Sequence, residues 1–296
     1  MKPILKWAGG KKQLLPEIMP LIREYSKTYN GLCTYIEPFI GGGAVFCQAV
    51  VEDLFTAYQA YDINKDLIDM YCVICQYPQY LSKVLKKHQT QYNQATDQES
   101  YFKKQRSLFN LLKSYTDTTL ENLVLKSALL IFLNKTGFNG LYRENKKGQF
   151  NTSFGKKNKV SLPSLSDIES WSKCLDDPLY YFGCANFKDL EYRPKSDRFK
   201  PTLYYFDPPY TPVKKDSFVS YSSTGWTLKD LKRLSEICFR IDCGGHKFIM
   251  SNSCQKDSPV AELFKEYKIT EVKAKRNINS KGDKRQAINE LLITNI

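Results

Sequence analysis

Thr34–Asn64 reads TYIEPFIGGGAVFCQAVVEDLFTAYQAYDIN, two short β-prone runs on either side of a glycine turn and an apolar segment. TYIEPF (34–39) and AYQAYD (57–62) are rich in aromatic residues and bounded by Gly, Asp and Asn, so both read as strands, and GGAVFCQAVV (42–51) reads as the helix between them. NKDLIDMYCVIC (64–75) then begins a second helix. Strand–helix–strand text at this spacing predicts a parallel, doubly wound α/β sheet. From Tyr77 to Leu133 the text is instead polar, Lys/Gln-rich and helical, without a strand signal. Strands resume with YYFGCANF (180–187), TLYYFDPPY (202–210), HKFIMSNS (246–253) and a closing INELLITN (288–295). Thr227 followed three residues later by Asp230 is a capping box that starts a helix near Leu228, and Pro259 marks another helix start. The expected architecture is a Rossmann-like, mostly parallel sheet domain built from 1–76 and 177–296, with a mainly helical domain of 77–176 inserted into it.

The totals narrow the function classes. A chain of 296 residues with 42% hydrophobic and 25% charged residues is globular text. The net charge of +13 points to an anionic partner, nucleic acid first and an acidic membrane surface second. The longest apolar run, ALLIFL (128–133), falls far short of the roughly 18 residues of a membrane helix. MKPILKWAGG has too short an apolar stretch for a secretory signal, so a cytoplasmic location and reduced thiols are expected for the nine cysteines. Cys72-Val73-Ile74-Cys75 is a lone CxxC in a chain with two histidines, His88 and His246, and no metal site is expected.

Two constellations carry chemistry. Gly41, Gly42 and Gly43 lie between a strand and a helix, where missing side chains let a ligand approach backbone amides. The dinucleotide pattern GxGxxG fails, because Phe46 stands three residues after Gly43. Asp62 ends the next strand about twenty residues on; it either caps the following helix or accepts hydrogen bonds from a ribose diol. The second constellation is LYYFDPPYTPV (203–213). Four apolar or aromatic residues read as a buried strand that the proline pair must end, leaving Asp207 and Tyr210 at its carboxyl edge, where open α/β sheets bind ligands.

LKWAGGKKQLL (5–15), EPFIGGGAVF, DIN, NKTGFNGLYREN, DPPY and the closing RQAINELLITN, in this order, resemble the Dam-type DNA adenine methyltransferases over nearly the whole chain. The resemblance implies S-adenosylmethionine as cofactor and double-stranded DNA as partner, with no membrane and a monomeric enzyme. It assigns Trp7, Lys11, Phe39, Gly41, Gly43, Asp62, Phe187 and Asp207 to the cofactor, with Asn186 standing where many relatives carry an acid. An exocyclic amine is a poor nucleophile because its lone pair is delocalised into the ring, so it must be re-hybridised and aimed by acceptors. Asp207 and the Pro208 carbonyl are the implied acceptors, Pro209 stiffens the turn, and Tyr210 stacks on a base flipped out of the duplex. Phe138, Asn139, Leu141 and Arg143 match DNA contacts, Arg143 at a guanine, in a loop region (135–160) where seven Lys/Arg face one Glu. Lys146 and Lys147 fall in that loop, and Ser153 stands where relatives commonly have Pro, with Lys157 where some carry Tyr. The implied target is GATC. A second basic stretch, Lys273–Arg285, reads as a phosphate-contacting loop.

Two other readings compete. Methylation of cytosine N4 would favour Ser in place of Asp207. A DNA-binding protein without catalysis would have no need of an intact glycine turn, Asp62, Asp207 and Tyr210 together.

Overall fold

The computed structural model describes residues 2–116, 118–175, 179–192, 200–210, 226–254, 258–275 and 287–296. They fall into two compact units, one of Lys11–Ile63 with the described residues from Leu179 onward, the other of 2–10 and 64–175.

The first unit is built on seven strands: β1 Thr34–Glu37, β2 Ala57–Asp62, β3 Tyr180–Cys184, β4 Thr202–Phe206, β5 Lys247–Ser253, β6 Lys268–Lys275 and β7 Ala287–Thr294. Their order is β3-β2-β1-β4-β5-β7-β6, with β1 to β5 mutually parallel and β7 antiparallel to both β5 and β6. This is the mostly parallel α/β sheet that the sequence predicts. All five residues of β4 are buried, as a central parallel strand covered on both faces must be.

Alternation along the strands separates two cores. Tyr35 and Tyr58 turn to one face and pack on Phe46 of α2 (Ala44–Val51). Ile36, Tyr204, Phe206, Phe248, Met250 and Ile293 turn to the other, against Leu231, Leu234, Ile237 and Ile241 of α8 (Leu228–Cys243). Thr227 and Asp230 close the predicted capping box at the start of α8, the Thr227 amide donating to Asp230 at 2.8 Å. The strand order reverses between β1 and β4. The turns after these two strands therefore flank one crevice at the carboxyl edge, where ligands of such sheets lie.

The second unit contains α3 Lys65–Gln76, α4 Pro78–Gln94, α5 Gln98–Lys113, α6 Leu120–Thr136 and α7 Leu165–Leu175. In α6 every residue from Lys126 to Asn134 is buried, so it is the central helix of this unit and is apolar on nearly every side. Burying Leu129, Ile131 and Phe132 stabilises the unit by roughly 1.5–3 kcal/mol each. Burial also pushes the His88 imidazole down to about 4, with the positive charge of Lys87 acting in the same sense, so this histidine is a neutral core residue.

Three elements escape the sequence reading: the helix Leu15–Thr28, α7 and β6. α7 begins at reciprocal hydrogen bonds between Ser164 and Asp167 (2.9 and 3.2 Å), and its Trp171 donates to the Lys2 carbonyl at 2.8 Å. Lys273–Lys275, expected within a basic loop, belong instead to β6. β6 lies at the sheet edge, where lysines that interrupt an apolar pattern are common and the pairing with β7 supplies the order. The remainder of that basic stretch, 276–285, lies outside the described residues.

Candidate active site

The prolines Pro208 and Pro209 stop β4, as their missing amide donors require, and leave Asp207 at its end. Lys11, in a 3₁₀ turn ahead of α1 (Leu15–Thr28), brings its ammonium to 2.7 Å from Asp207 Oδ1, and Lys11 is only 3% exposed. Ser251 of β5 donates to the same Oδ1 at 3.2 Å, and its hydroxyl lies 3.0 Å from that of the buried Tyr205. Both donors fall on Oδ1, and among the described residues no donor reaches Oδ2. Lys11 also donates to the Tyr210 hydroxyl at 3.0 Å, which in turn donates to Glu290 of β7 at 2.9 Å. One buried cation therefore joins Asp207, Tyr210 and Glu290.

The electrostatics follow from this arrangement. Burial opposes the positive charge of Lys11, but the carboxylates of Asp207 and Glu290 outweigh it and push the ammonium up to about 12. Burial raises the Asp207 carboxyl above the usual aspartate range, against the lowering effect of Lys11. Lys11 and Asp207 thus shift each other in opposite senses across a 2.7 Å contact.

The glycine turn lies across the same edge. Gly41 and Gly43 take positive φ, 47° and 67°, a region that side chains strain to enter. The Gly41 amide donates to Asp62 Oδ2 at 3.1 Å, while the Asp62 carbonyl accepts from the Ala185 amide at 3.1 Å. The cap of α3 is Asn64, whose Oδ1 accepts the Asp66 and Leu67 amides, so Asp62 does not serve as that cap. Burial drives the Glu37 carboxyl well above its usual range, although the Tyr35 hydroxyl (2.8 Å) and the Phe46 amide both donate to it. Phe39, Phe187 and Trp226 close a triangle of rings at 5.2, 5.8 and 5.4 Å between centroids. Asn186 accepts from the Lys188 amide and starts the short turn that carries Phe187.

The remaining predicted residues belong to the helical unit. Trp7, half-buried, has its ring centroid 5.5 Å from that of Tyr142. After α6 the chain turns at Asn139, whose φ is 55°, and at Gly140, whose φ is 65°. Asn134 holds this turn, donating to the carbonyls of Gly140 and Lys6, each at 2.8 Å. Phe138 is 47% exposed, Asn139 and Leu141 are half-buried, and Arg143, Lys146, Lys147 and Ser153 are exposed. The Phe138 amide donates to the Ser153 carbonyl, and the Asn151 amide to that of Arg143, both at 2.9 Å, so 137–154 doubles back as a hairpin.

Sequence reading missed Ser251, Glu290, Tyr205 and Trp226 as neighbours of the motif residues. Glu290 did leave a signal, an acid directly before the apolar run Leu291–Ile293 in the strand text INELLIT. Ser251 left none, because its role comes from the pairing of β5 beside β4.

Comparison with known proteins agrees with this geometry. The model of D12 class N6 adenine-specific DNA methyltransferases matches residues 7–278. The chain is 36% identical to the Type II methyltransferase M.MjaIII of Methanocaldococcus jannaschii, covering all of this chain and 99% of the relative. It is 32% identical to the Type II methyltransferase M1.LlaDCHI of Lactococcus lactis subsp. cremoris, over all of this chain and 95% of the relative. It is also 30% identical to the DNA adenine methylase of Escherichia coli K12, over 98% and 94%. With the sheet order, the glycine turn and the DPPY edge all in place, the chain belongs to the N6 adenine-specific DNA methyltransferases of the D12 class.

Proposed function

We propose that this adenine-N6 DNA methyltransferase takes its methyl group from S-adenosylmethionine, acts on an adenine turned out of the duplex, and has GATC as its target. The observation that carries the reading is the asymmetry of Asp207: Lys11 and Ser251 both hold Oδ1, and Oδ2 is left to accept from an incoming amine.

The residues fit the cofactor. The positive-φ glycines leave the backbone bare beside the Asp62 carboxylate, which suits a ribose diol, and the rings of Phe39, Phe187 and Trp226 suit an adenine. When bound, S-adenosylmethionine supplies a methyl group on a positively charged sulfur. Asp207 accepts from the target amine and, with the Pro208 carbonyl, localises the nitrogen lone pair. Lys11 lowers the Asp207 carboxyl against the effect of burial and fixes its Oδ1, and Tyr210 offers its ring to the extruded base while Lys11 and Glu290 hold its hydroxyl. In this reading 1–76 and 177–296 form the catalytic domain and 77–176 the target-recognition domain, and the enzyme acts as a cytoplasmic monomer. Sequencing DNA from cells expressing the protein for N6-methyladenine tests the target. Methylation absent from GATC would discard that assignment.

Asp62→Ala is expected to weaken S-adenosylmethionine binding by about 1.5–3 kcal/mol, the range for hydrogen bonds to a charged group. Calorimetric titration checks it, and an unchanged affinity would remove Asp62 from the cofactor site. Arg143→Ala is expected to cost about 1–3 kcal/mol of discrimination at one base pair, because a guanidinium contacts guanine O6 and N7 together. Lys146→Ala and Lys147→Ala should instead weaken binding to every sequence alike and flatten its salt dependence. Comparing methylation of GATC with its single-base-pair variants separates the two behaviours.

A further inference from the structure

Behind the exposed Arg143 lies a buried charge network to which no role has been assigned. Tyr142, 3% exposed, places its hydroxyl 2.9 Å from Asp66 Oδ2 and 2.6 Å from Glu144 Oε1. Lys113, at the end of α5, donates to that hydroxyl at 2.9 Å, reaches Asp66 at 2.8 Å and pairs with Glu144. Lys126 of α6 joins Asp66 (3.2 Å) to Asp69 (2.7 Å), and Lys65 closes the series on Asp69 at 2.6 Å. Three lysines thus balance three carboxylates. Burial would raise the Asp66 carboxyl, but Lys113 and Lys126 overcome it and hold Asp66 below the usual aspartate range. Burial and the two adjacent carboxylates raise the Tyr142 phenol, so it stays a neutral hydroxyl.

The placement is informative. Glu144 pairs with Phe150 across the hairpin, and the Arg143 carbonyl accepts from Asn151, so the run through Arg143 is extended. In extended backbone neighbouring side chains point to opposite sides. Tyr142 and Glu144 therefore enter the network together, and Arg143 between them is turned outward, where no hydrogen bond or ion pair holds its guanidinium among the described residues. The two residues flanking Arg143 are tied to α3 through Asp66 and to α5 through Lys113, and Asp66 is held in turn by Lys126 of α6.

We propose that the Tyr142–Asp66–Glu144–Lys113 network is the device that positions Arg143, so that Tyr142 and Lys113 determine specificity without touching DNA. The inference rests on the reading of Arg143 as a base contact. A bidentate contact to a base edge tolerates little displacement, and long basic side chains on free loops bind phosphates without regard to sequence. Fixing the backbone on both sides removes that freedom.

The test is a double-mutant cycle read as discrimination. kcat/KM is measured on a duplex carrying the methylated site and on its single-base-pair variants, for wild type, Tyr142→Phe, Arg143→Ala and the double variant. Tyr142→Phe keeps the ring against Trp7 and removes only the hydroxyl. It should lower discrimination at the base pair relaxed by Arg143→Ala, by about five- to tenfold, and at no other. In the Arg143→Ala background it should change nothing further. Lys113→Met should reproduce the loss at the same base pair. Thermal melts accompany each variant, and a lowered melting temperature with discrimination intact would overturn the proposal by leaving the network a structural role alone. A Tyr142→Phe effect that persists without Arg143 would overturn it as well. If Arg143→Ala relaxes no base pair, the reading beneath the inference fails and the inference falls with it.

Discussion

Asp207→Ala is expected to lower kcat by about 10²–10⁴-fold while leaving the affinities for cofactor and DNA near those of wild type, because the lost contact strengthens only as the amine becomes tetrahedral. The fold should survive the change, since Lys11 keeps Glu290 as a partner at 3.8 Å and Tyr210 at 3.0 Å. Asp207→Asn sharpens the experiment. It preserves shape but can present an amide donor to the amine, and should be as inactive as the alanine variant. Single-turnover methylation of a duplex, with binding measured separately, checks both. A variant within tenfold of wild type would remove Asp207 from the chemistry. The pH profile gives a second signature. A protonated carboxyl is a much weaker acceptor than a carboxylate, so activity falls as pH drops through the Asp207 value, and burial places that acid limb above the ordinary aspartate range.

Lys11→Met carries the largest expected effect on stability, about 3–5 kcal/mol, because it leaves Asp207 and Glu290 desolvated side by side without their cation. The sign of its pH dependence follows. Burial already raises Asp207 with Lys11 in place, and without the ammonium Asp207 binds its proton more tightly still in the folded state, so the deficit is fully present above its raised folded value and shrinks as pH falls through it. Urea unfolding at neutral and acidic pH measures this directly. A loss below about 1 kcal/mol, or one that grows on acidification, would contradict the ion-pair account. Lys11→Met should also move the acid limb of kcat toward neutrality, since the remaining lowering influence of the ammonium on Asp207 is gone.

Local text determined much of this molecule. β2 runs over the predicted 57–62, α8 starts at its capping box, and β4 ends where two prolines deny the sheet its donors. Steric and hydrogen-bonding rules acting over a few residues are enough for these, and the glycine turn, Asp62 and Asp207 follow from them as points on a sheet edge. α7 was legible too, in the Ser164–Asp167 spacing, but it falls next to a loop-rich basic segment that masked it. β6 was not legible, because an edge strand with alternating lysines earns its order from β7 and not from its own composition. The chemistry of the site belongs to tertiary structure in the same way. Lys11 lies almost two hundred residues from Asp207 and Tyr210, and Glu290 eighty from Tyr210, so no local rule predicts that one ammonium joins all three. Nor does any local rule bring Lys113 and Asp66 to Tyr142. Only the packing of α3, α5 and the hairpin creates the buried, water-poor surroundings in which those charges are forced to choose one another.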